Sequence, residues 1–262
     1  MQGTNGNLYG TTYAGGSNNA GVVFEWVLDP NQMPVVQFNG ANGSGPGAGL
    51  ALGWDGNLYG TTAGGGPNNA GTFFRLTYGG VLTPLHYFTE TGSDGGGPYS
   101  PLLRRGCDFF GTTYSGGPYG KGTIFRVSLT TNPTPCFETL YSFKNLVDGG
   151  FPDGGLAADV RGNLYGTTTD SGTAQGTLYE VIKLPHLGHV SLAGGILSAN
   201  CRDAQPGLTY QAQYSWTLAP GSWSPWGPPV IANSNKFVVS GSVGAAHGFV
   251  RMQLQPPGLV PP

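Results

Sequence analysis

The sequence is short of charge. Asp, Glu, Lys and Arg make up 9% of its 262 residues, against about 25% in an ordinary soluble domain. The eleven basic residues are scattered, only Arg104 and Arg105 being adjacent, and the formal net charge is −2. Nucleic acid demands clustered Lys and Arg, so no nucleic-acid partner is expected. Long apolar runs are lacking too. None approaches the roughly 20 residues of a membrane helix, so no membrane span is expected in this chain. Met1-Gln2-Gly3-Thr4 has neither the basic start nor the apolar core of a signal peptide. Low charge with abundant Gly, Asn, Thr and Tyr nonetheless suits an extracellular or cell-surface protein, its signal peptide not present in this chain. Cysteine is scarce: three residues and no Cys-x-x-Cys pair, which gives a zinc ribbon no support.

Glycine and proline are in excess, 48 and 21 residues. Without a period, that much of both reads as disorder. Disorder, however, goes with high charge and few aromatics, and 12% of this chain is aromatic. Helices tolerate Gly and Pro badly. An all-β chain with many turns remains.

A repeat organises it. Asn7-Leu8-Tyr9-Gly10-Thr11-Thr12 returns as Asn57-Leu58-Tyr59-Gly60-Thr61-Thr62, as Asp108-Phe109-Phe110-Gly111-Thr112-Thr113 and as Asn163-Leu164-Tyr165-Gly166-Thr167-Thr168. Residues 7–21 and 57–71 match at 12 of 15 positions. A second block follows each copy: Gly21-Val22-Val23-Phe24, Gly71-Thr72-Phe73-Phe74, Gly122-Thr123-Ile124-Phe125 and Gly176-Thr177-Leu178-Tyr179. Runs ending in Phe38, Phe88 and Phe143 come next, then turns carrying Pro46, Pro98 and Pro152. In residues 47–88 the pattern predicts strands over 49–54, 57–62, 71–77 and 82–88, with an Asp55-Gly56 hairpin turn. Four short antiparallel strands in about 50 residues fit a propeller blade, and the consecutive apolar residues of the third strand fit burial on both faces.

The expected fold is therefore all-β: a four-unit β-propeller-like repeat array over residues 1–184, a small β-sandwich over 185–255 and a Pro-rich tail over 256–262. The array is either a closed four-blade ring or a partial, open propeller. Unit one begins at its second strand and unit four runs only through its third, which favours a fragment of a longer propeller. The charged position on the third strand (Glu25, Arg75, Arg126, Glu180) is read as solvated or as an inter-blade ion-pair site rather than a functional ring. The Thr pairs are read as satisfying strand and turn hydrogen bonds.

The pattern N-L-Y-G-T-T, then G-G, then G-T-x-F-R/E-L/V, resembles the GloVer-type tandem repeats of bacterial exported choice-of-anchor proteins. The resemblance covers roughly residues 1–184. It implies a bacterial surface or secreted propeller-like protein and brings no catalytic residues, since the repeat defines the group. The Asp-Gly-Asn-Leu-Tyr-Gly-Thr strand also resembles the blades of extracellular sensor propellers. The C-terminal segment resembles the fibronectin type III-like β-domains that follow such repeats. Trp216, Trp223 and Trp226 around its Pro-rich loop are either core and loop padding or a carbohydrate platform.

Motifs for chemistry are sparse. His186 and His189 share a linker whose Pro185 and Gly188 argue against the helix that would make them metal ligands, His247 joins no motif, and His86 reads as a packed or rim residue. Gly116-Gly117-Pro118-Tyr119-Gly120-Lys121-Gly122 fails as a phosphate loop, with Ser115 for the first Gly and Gly122 for the Ser/Thr. No catalytic set, metal site or cofactor is expected. Asp94, Asp148 and Asp153 lie in inter-blade loops and read first as turn chemistry.

In a blade, the loop between strands two and three opens on the same face as the loop into the next blade. Those loops carry Tyr13, Asn18, Asn19, Asn68, Asn69, Asp94, Tyr99, Tyr114, Tyr119, Asp148 and Asp153. Amides and aromatic faces with little charge suit a neutral glycan. On the opposite face Cys107 and Cys136 fall in adjacent turns and are a disulfide candidate, the plainer reading of all three cysteines being buried small apolar side chains. Three functional readings stand: a non-enzymatic extracellular repeat protein binding glycan or a surface protein through the loop face; a carbohydrate-active hydrolase or lyase using Asp94 and Asp148; and a structural spacer with no ligand.

Overall fold

Each copy of the motif folds as the second strand of a small antiparallel sheet. In this computed structural model the described residues are 1–26, 34–129, 135–144, 148–170 and 176–181, with shorter stretches at 186–193, 196–202, 209–215, 224–225, 229–232, 236–242 and 249–254. The first unit holds β1 (Leu8–Thr12), β2 (Val22–Trp26) and β3 (Pro34–Gln37), paired in that order. Gln2 bridges Leu8, and Met1 exchanges backbone hydrogen bonds with Tyr9. Residues 1–2 thus lie where a first strand would, ahead of the start read from the motif.

The second unit is complete: β4 (Ala51–Leu52), β5 (Leu58–Thr62), β6 (Thr72–Leu76) and β7 (Leu82–Tyr87) pair in chain order. These strands fall within the expected spans, β4 being shorter. The Gly53 N–H there turns aside to bond Asn57 across the hairpin. A two-stranded ladder, β8 (Gly95–Gly96) with β11 (Ser115–Gly116), flanks the third unit. That unit comprises β9 (Leu103–Arg105), β10 (Asp108–Thr113), β12 (Thr123–Ser128) and β13 (Cys136–Ser142). The fourth pairs β14 (Ala157–Ala158), β15 (Leu164–Thr168) and β16 (Thr177–Val181).

Further on, β17 (His186–Ala193), β18 (Ile196–Arg202), β19 (Thr209–Ser215), β20 (Ser224–Pro225), β21 (Val230–Ile231), β22 (Lys236–Ser242) and β23 (Phe249–Leu254) form two more sheets. One runs β17-β18-β22; the other runs β20-β19-β21, with β23 also paired to β19. The chain divides into two compact units, Met1–Ala157 with Tyr165–Glu180, and Ala158–Leu164 with Val181–Pro262. All described residues are strand, turn or irregular, with no helix, and the described sheets close no barrel or ring. The expected domain boundary at 184/185, the three Trp residues of the C-terminal segment and the tail over 256–262 lie outside the described residues.

Consecutive sheets are joined by one contact made again at each junction. On the third strand an aromatic residue stands opposite the motif glycine: Gly10 pairs Phe24, Gly60 pairs Phe74 and Gly111 pairs Phe125. The ring lies flat across the glycine, and a Cβ on Gly60 would sit 2.6 Å from Phe74 Cζ. Only glycine leaves room for it. The free edge of the ring then receives the closing Phe of the preceding unit. Phe38 meets Phe74 at 5.4 Å, Phe88 meets Phe125 at 5.2 Å and Phe143 meets Tyr179 at 5.0 Å between centroids, all edge-to-face, the favoured aromatic geometry. Around these pairs sit two apolar clusters. Tyr9, Val23, Val36, Phe38, Leu58, Phe74 and Leu76 fill the first junction. Tyr59, Phe73, Phe88, Phe109, Phe125 and Val127 fill the second.

The Thr pairs are structural, as read from the sequence. Thr62 and Thr72 share a hydrogen bond of 2.9 Å, Thr113 and Thr123 one of 2.8 Å, and Thr168 and Thr177 one of 2.6 Å. Each closes the loop between second and third strands.

Replacing Gly60 by Ala forces the fully buried Phe74 ring to move and is expected to cost about 1–3 kcal/mol. Gly49→Ala, where a Cβ meets nothing within 4 Å, is expected to be near neutral. Urea denaturation of both variants checks this; a neutral Gly60→Ala would overturn the account of the glycine.

Candidate functional site

The loops between second and third strands, residues 13–21, 63–71 and 114–122, repeat one backbone path. Asn19 and Asn69 take left-handed φ values of 51° and 54°, and Gly120 holds 67° at the same place. Asn tolerates that region better than other side chains because it can bond locally. Here the Gly15 and Gly65 N–H groups donate to Asn19 Oδ1 and Asn69 Oδ1, both at 3.0 Å. The preceding amides reach the closing strand: Asn18 Nδ2 donates to the Phe38 carbonyl at 3.5 Å and Asn68 Nδ2 to the Phe88 carbonyl at 3.3 Å. The four asparagines expected to greet a ligand are therefore first of all loop closures.

One residue then ties each loop to the next unit. The Gly45 N–H donates to the Ala20 carbonyl at 2.8 Å, and its carbonyl accepts from the Ala63 N–H at 3.0 Å. Gly97 does the same between Ala70 and Tyr114, both at 2.9 Å, and Phe151 between Lys121 (2.8 Å) and Thr169 (3.2 Å). All three are left-handed, at 63°, 61° and 56°. Phe151 thus occupies a conformation that favours glycine, and strain of this kind concentrates at functional sites.

Over the first of these ties lies an open cavity of about 450 Å³, within the range of ligand sites. Tyr13, Asn19, Ser44, Asn69 and Tyr99 give its polar lining, with Ala14, Ala20, Gly45, Ala63 and Gly64 between them. Tyr13 and Tyr99 are exposed. Aromatic rings continue from it across the loop face: Tyr99 meets Tyr114 edge-on at 5.8 Å, and Tyr114 meets Phe151 at 5.2 Å. Lys121 Nζ stands 4.5 Å over the Phe151 ring, and Lys144 Nζ 5.5 Å over exposed Tyr119. Burial raises the pKa of the Tyr99 hydroxyl, and the nearby Tyr13, Tyr114, Asp153 and Glu90 add to the shift. Of the residues expected at the site, Tyr13, Asn19, Asn69 and Tyr99 share the cavity, and Tyr114 and Asp153 neighbour it. Ser44, Phe151 and Lys121 were not anticipated. The signal for the last two was their departure from Gly and Ala at the same repeat positions.

Asp94 and Asp148 do the turn chemistry first read for them. Each accepts the N–H of the residue after the closing Phe: Thr89 to Asp94 at 3.0 Å and Lys144 to Asp148 at 3.1 Å. Asn42 does the same for Asn39 at 2.9 Å. Asp94 also faces His86 Nε2 at 3.3 Å, and Asp148 accepts from the Tyr141 hydroxyl at 2.8 Å. His86 stacks on Phe137 at 3.7 Å, as expected of a packed residue. The two carboxylates are turn caps. Among the described residues no cluster of three His, Cys, Asp or Glu side chains could hold a metal ion.

Three of the four charged third-strand residues, Glu25, Arg126 and Glu180, find partners inside their own sheet, which corrects the inter-blade reading for them. Glu25 accepts from the Tyr9 hydroxyl and from Asn7 Nδ2; Glu180 accepts from Tyr165 at 2.7 Å; Arg126 pairs Glu138 at 2.6 Å. These hydrogen bonds hold the Glu25 carboxyl below the usual carboxylate range. Burial, and then the bond to Glu25, pushes Tyr9 up to about 12.

The disulfide candidate is also corrected. Cys107 and Cys136 are exposed free thiols. Cys136 pairs Ser128, which pairs Asp108 on its other side, so β12 runs between the two cysteines. Two strand spacings of about 4.8 Å exceed the ~7 Å Cα reach of a disulfide. Their exposure equally sets aside the reading as buried apolar side chains. The side chain of Cys201 lies outside the described residues.

The model of the Gloeobacter/Verrucomicrobia repeat matches residues 1–187. No curated protein matches the chain.

Alkylation of the native protein without reductant is expected to label both Cys107 and Cys136 in the mass spectrum; an unlabelled, disulfide-linked pair would refute the placement. The Tyr9–Glu25 pair sets a pH window. The depressed Glu25 contributes stability above the ordinary Glu pKa and loses it as pH falls through the lowered value. The raised Tyr9 contributes fully below its ordinary value of 10.0 and loses it as pH rises towards about 12. Tyr9→Phe is expected to flatten the alkaline limb and shallow the acid limb in urea titrations across pH; unchanged limbs would contradict the pairing.

Proposed function

Since the chain belongs to the Gloeobacter/Verrucomicrobia repeat family, we propose that it is a non-enzymatic extracellular or cell-surface repeat protein that binds a neutral glycan, or a protein partner, through its loop face. Its repeat sheets would be successive blades of a partial propeller over residues 1–184, and residues 185–255 a fibronectin type III-like β-sandwich. The observation that carries the binding reading is the cavity of about 450 Å³ between Tyr13 and Tyr99. Two exposed tyrosine faces offer stacking surface to a sugar ring, and their hydroxyls, Ser44 and the Asn19 and Asn69 amides offer hydrogen bonds that fix its orientation. No charged side chain lines that cavity, which matches an uncharged ligand.

A hydrolase or lyase reading would draw on Asp94 and Asp148, but both carboxylates cap turns and accept several hydrogen bonds already. A spacer without a ligand would not need exposed tyrosines around a cavity.

Titration calorimetry with a panel of neutral oligosaccharides tests the proposal. Saturable binding is expected, weakened about 2- to 12-fold by Tyr99→Ala or Tyr13→Ala, the equivalent of about 0.5–1.5 kcal/mol per stacked ring. Absence of binding across the panel and in a surface-protein pull-down, or binding that neither substitution alters, would overturn it.

A further inference from the structure

The repeat lets the loop face be compared position by position. The residue after the Thr pair is Tyr13 in the first unit, Ala63 in the second and Tyr114 in the third. Two places after the residue that ties each loop to the next unit, the chain has Gly47, Tyr99 and Asp153. At the first junction the Tyr13 ring lies over the tie: a Cβ on Gly45 would sit 3.0 Å from Tyr13 Cε2, and one on Gly47 3.4 Å from Tyr13 Cδ2. At the second junction Ala63 carries no ring. Tyr99 lies over the tie instead, its Cε2 3.1 Å from a Cβ on Gly97. The ring has passed from one loop to the next, and Ala63 lines the cavity between Tyr13 and Tyr99. The backbone is not what differs: the Ala63 N–H donates to the Gly45 carbonyl as the Tyr114 N–H donates to that of Gly97. At the third junction Tyr114 restores the loop ring, and Phe151 adds a second ring at the tie itself.

We propose that the ligand of the loop face is a linear neutral oligosaccharide, with one sugar ring seated in the gap at Ala63 and the following ones laid along Tyr99, Tyr114 and Phe151. This rests on the glycan reading of the cavity and adds the length and direction of the ligand. Ala63 sets the seat, because it leaves empty the place where the loops on either side carry a tyrosine. The run of rings sets the direction. Tyr99 meets Tyr114 at 5.8 Å and Tyr114 meets Phe151 at 5.2 Å, so the aromatic surface is continuous away from the cavity. Tyr99 and Tyr114 are exposed, and Phe151 is half-buried. A ligand confined to the cavity would leave Tyr114 and Phe151 untouched. Phe151 moreover holds its ring there at a φ of 56°, where the two earlier ties are glycines. Strain of that kind is kept where a site needs the side chain. Successive sugar rings stack on aromatic faces and ask for no charge.

Calorimetric titration of the full chain with the di- to hexasaccharides of β-1,4-glucan, β-1,4-mannan and β-1,3-glucan reads this out, as the ratio of hexasaccharide to disaccharide affinity. The variants are Tyr114→Ala, Phe151→Gly and Ala63→Tyr. Each borrows a residue that the repeat already uses at the same position, so each is expected to fold with unchanged circular dichroism. In at least one series the affinity is expected to rise with length, by about 2- to 12-fold for each further ring reached. Tyr114→Ala and Phe151→Gly are each expected to lower the ratio by about that factor. Ala63→Tyr is expected to abolish binding at every length, because its ring fills the seat; should it fail to fold, the other two variants decide. Saturable binding whose strength does not change with length, or a ratio that neither Tyr114→Ala nor Phe151→Gly lowers, would overturn this proposal and leave the glycan reading standing. Wild-type affinity in a folded Ala63→Tyr variant would overturn the seat. No saturable binding in any of the three series would overturn the proposal together with the reading on which it rests.

Discussion

An aromatic ring laid across a glycine is the contact on which the rest of this molecule depends. The motif glycine of the second strand leaves a trough, and the third-strand aromatic opposite it fills that trough flat. The ring is then positioned to take the edge of the closing Phe from the unit before. Cross-strand pairing and sheet-to-sheet stacking thereby share one side chain. A unit that lacked either the glycine or the ring would lose its internal register and its neighbour together. The low charge of the chain follows: residues on both faces of an inner sheet are covered, and Glu25, Arg126 and Glu180 of the third strands are matched within their own sheets.

The loop face depends on that stack at one remove. At each junction one left-handed residue accepts a hydrogen bond from one unit and donates to another. Loops that would otherwise be independent are held in a fixed relation, and side chains from three units converge on one cavity. Asparagines, Thr pairs and Asp caps maintain the backbone path. The tyrosines are spared that task and stay exposed. At the last junction Phe151 and Lys121 replace Gly and Ala together, and the lysine rests on the ring it faces. The repeat is most regular where it builds the scaffold and most varied where it meets solvent.

Much of this was legible beforehand. Period, strand order and the burial of the third strand on both faces came from self-comparison, and so did the face on which Tyr13, Asn19, Asn69 and Tyr99 meet. What was not legible has a common cause. Asp94 and Asp148 were read first as turn chemistry, and they do cap turns, but nothing in linear order named the N–H of Thr89 or Lys144, within 3.1 Å, as the group each one accepts. Cys107 and Cys136 looked adjacent, because both sit in turns; their separation depends on β12 passing between them. The charged third-strand position was read as solvated or as an ion-pair site across units, whereas cross-strand register puts Glu25 opposite Tyr9.

By itself, the sequence determined that this chain is all-β and that residues 1–184 repeat one unit of strands and glycine-rich turns. Those features rest on periodicity and on backbone geometry, which are local. Only the tertiary structure decided which polar groups are consumed by the fold and which remain for a ligand. Hydrogen bonds between loops join partners far apart in the chain, and the cavity exists only once the units are stacked.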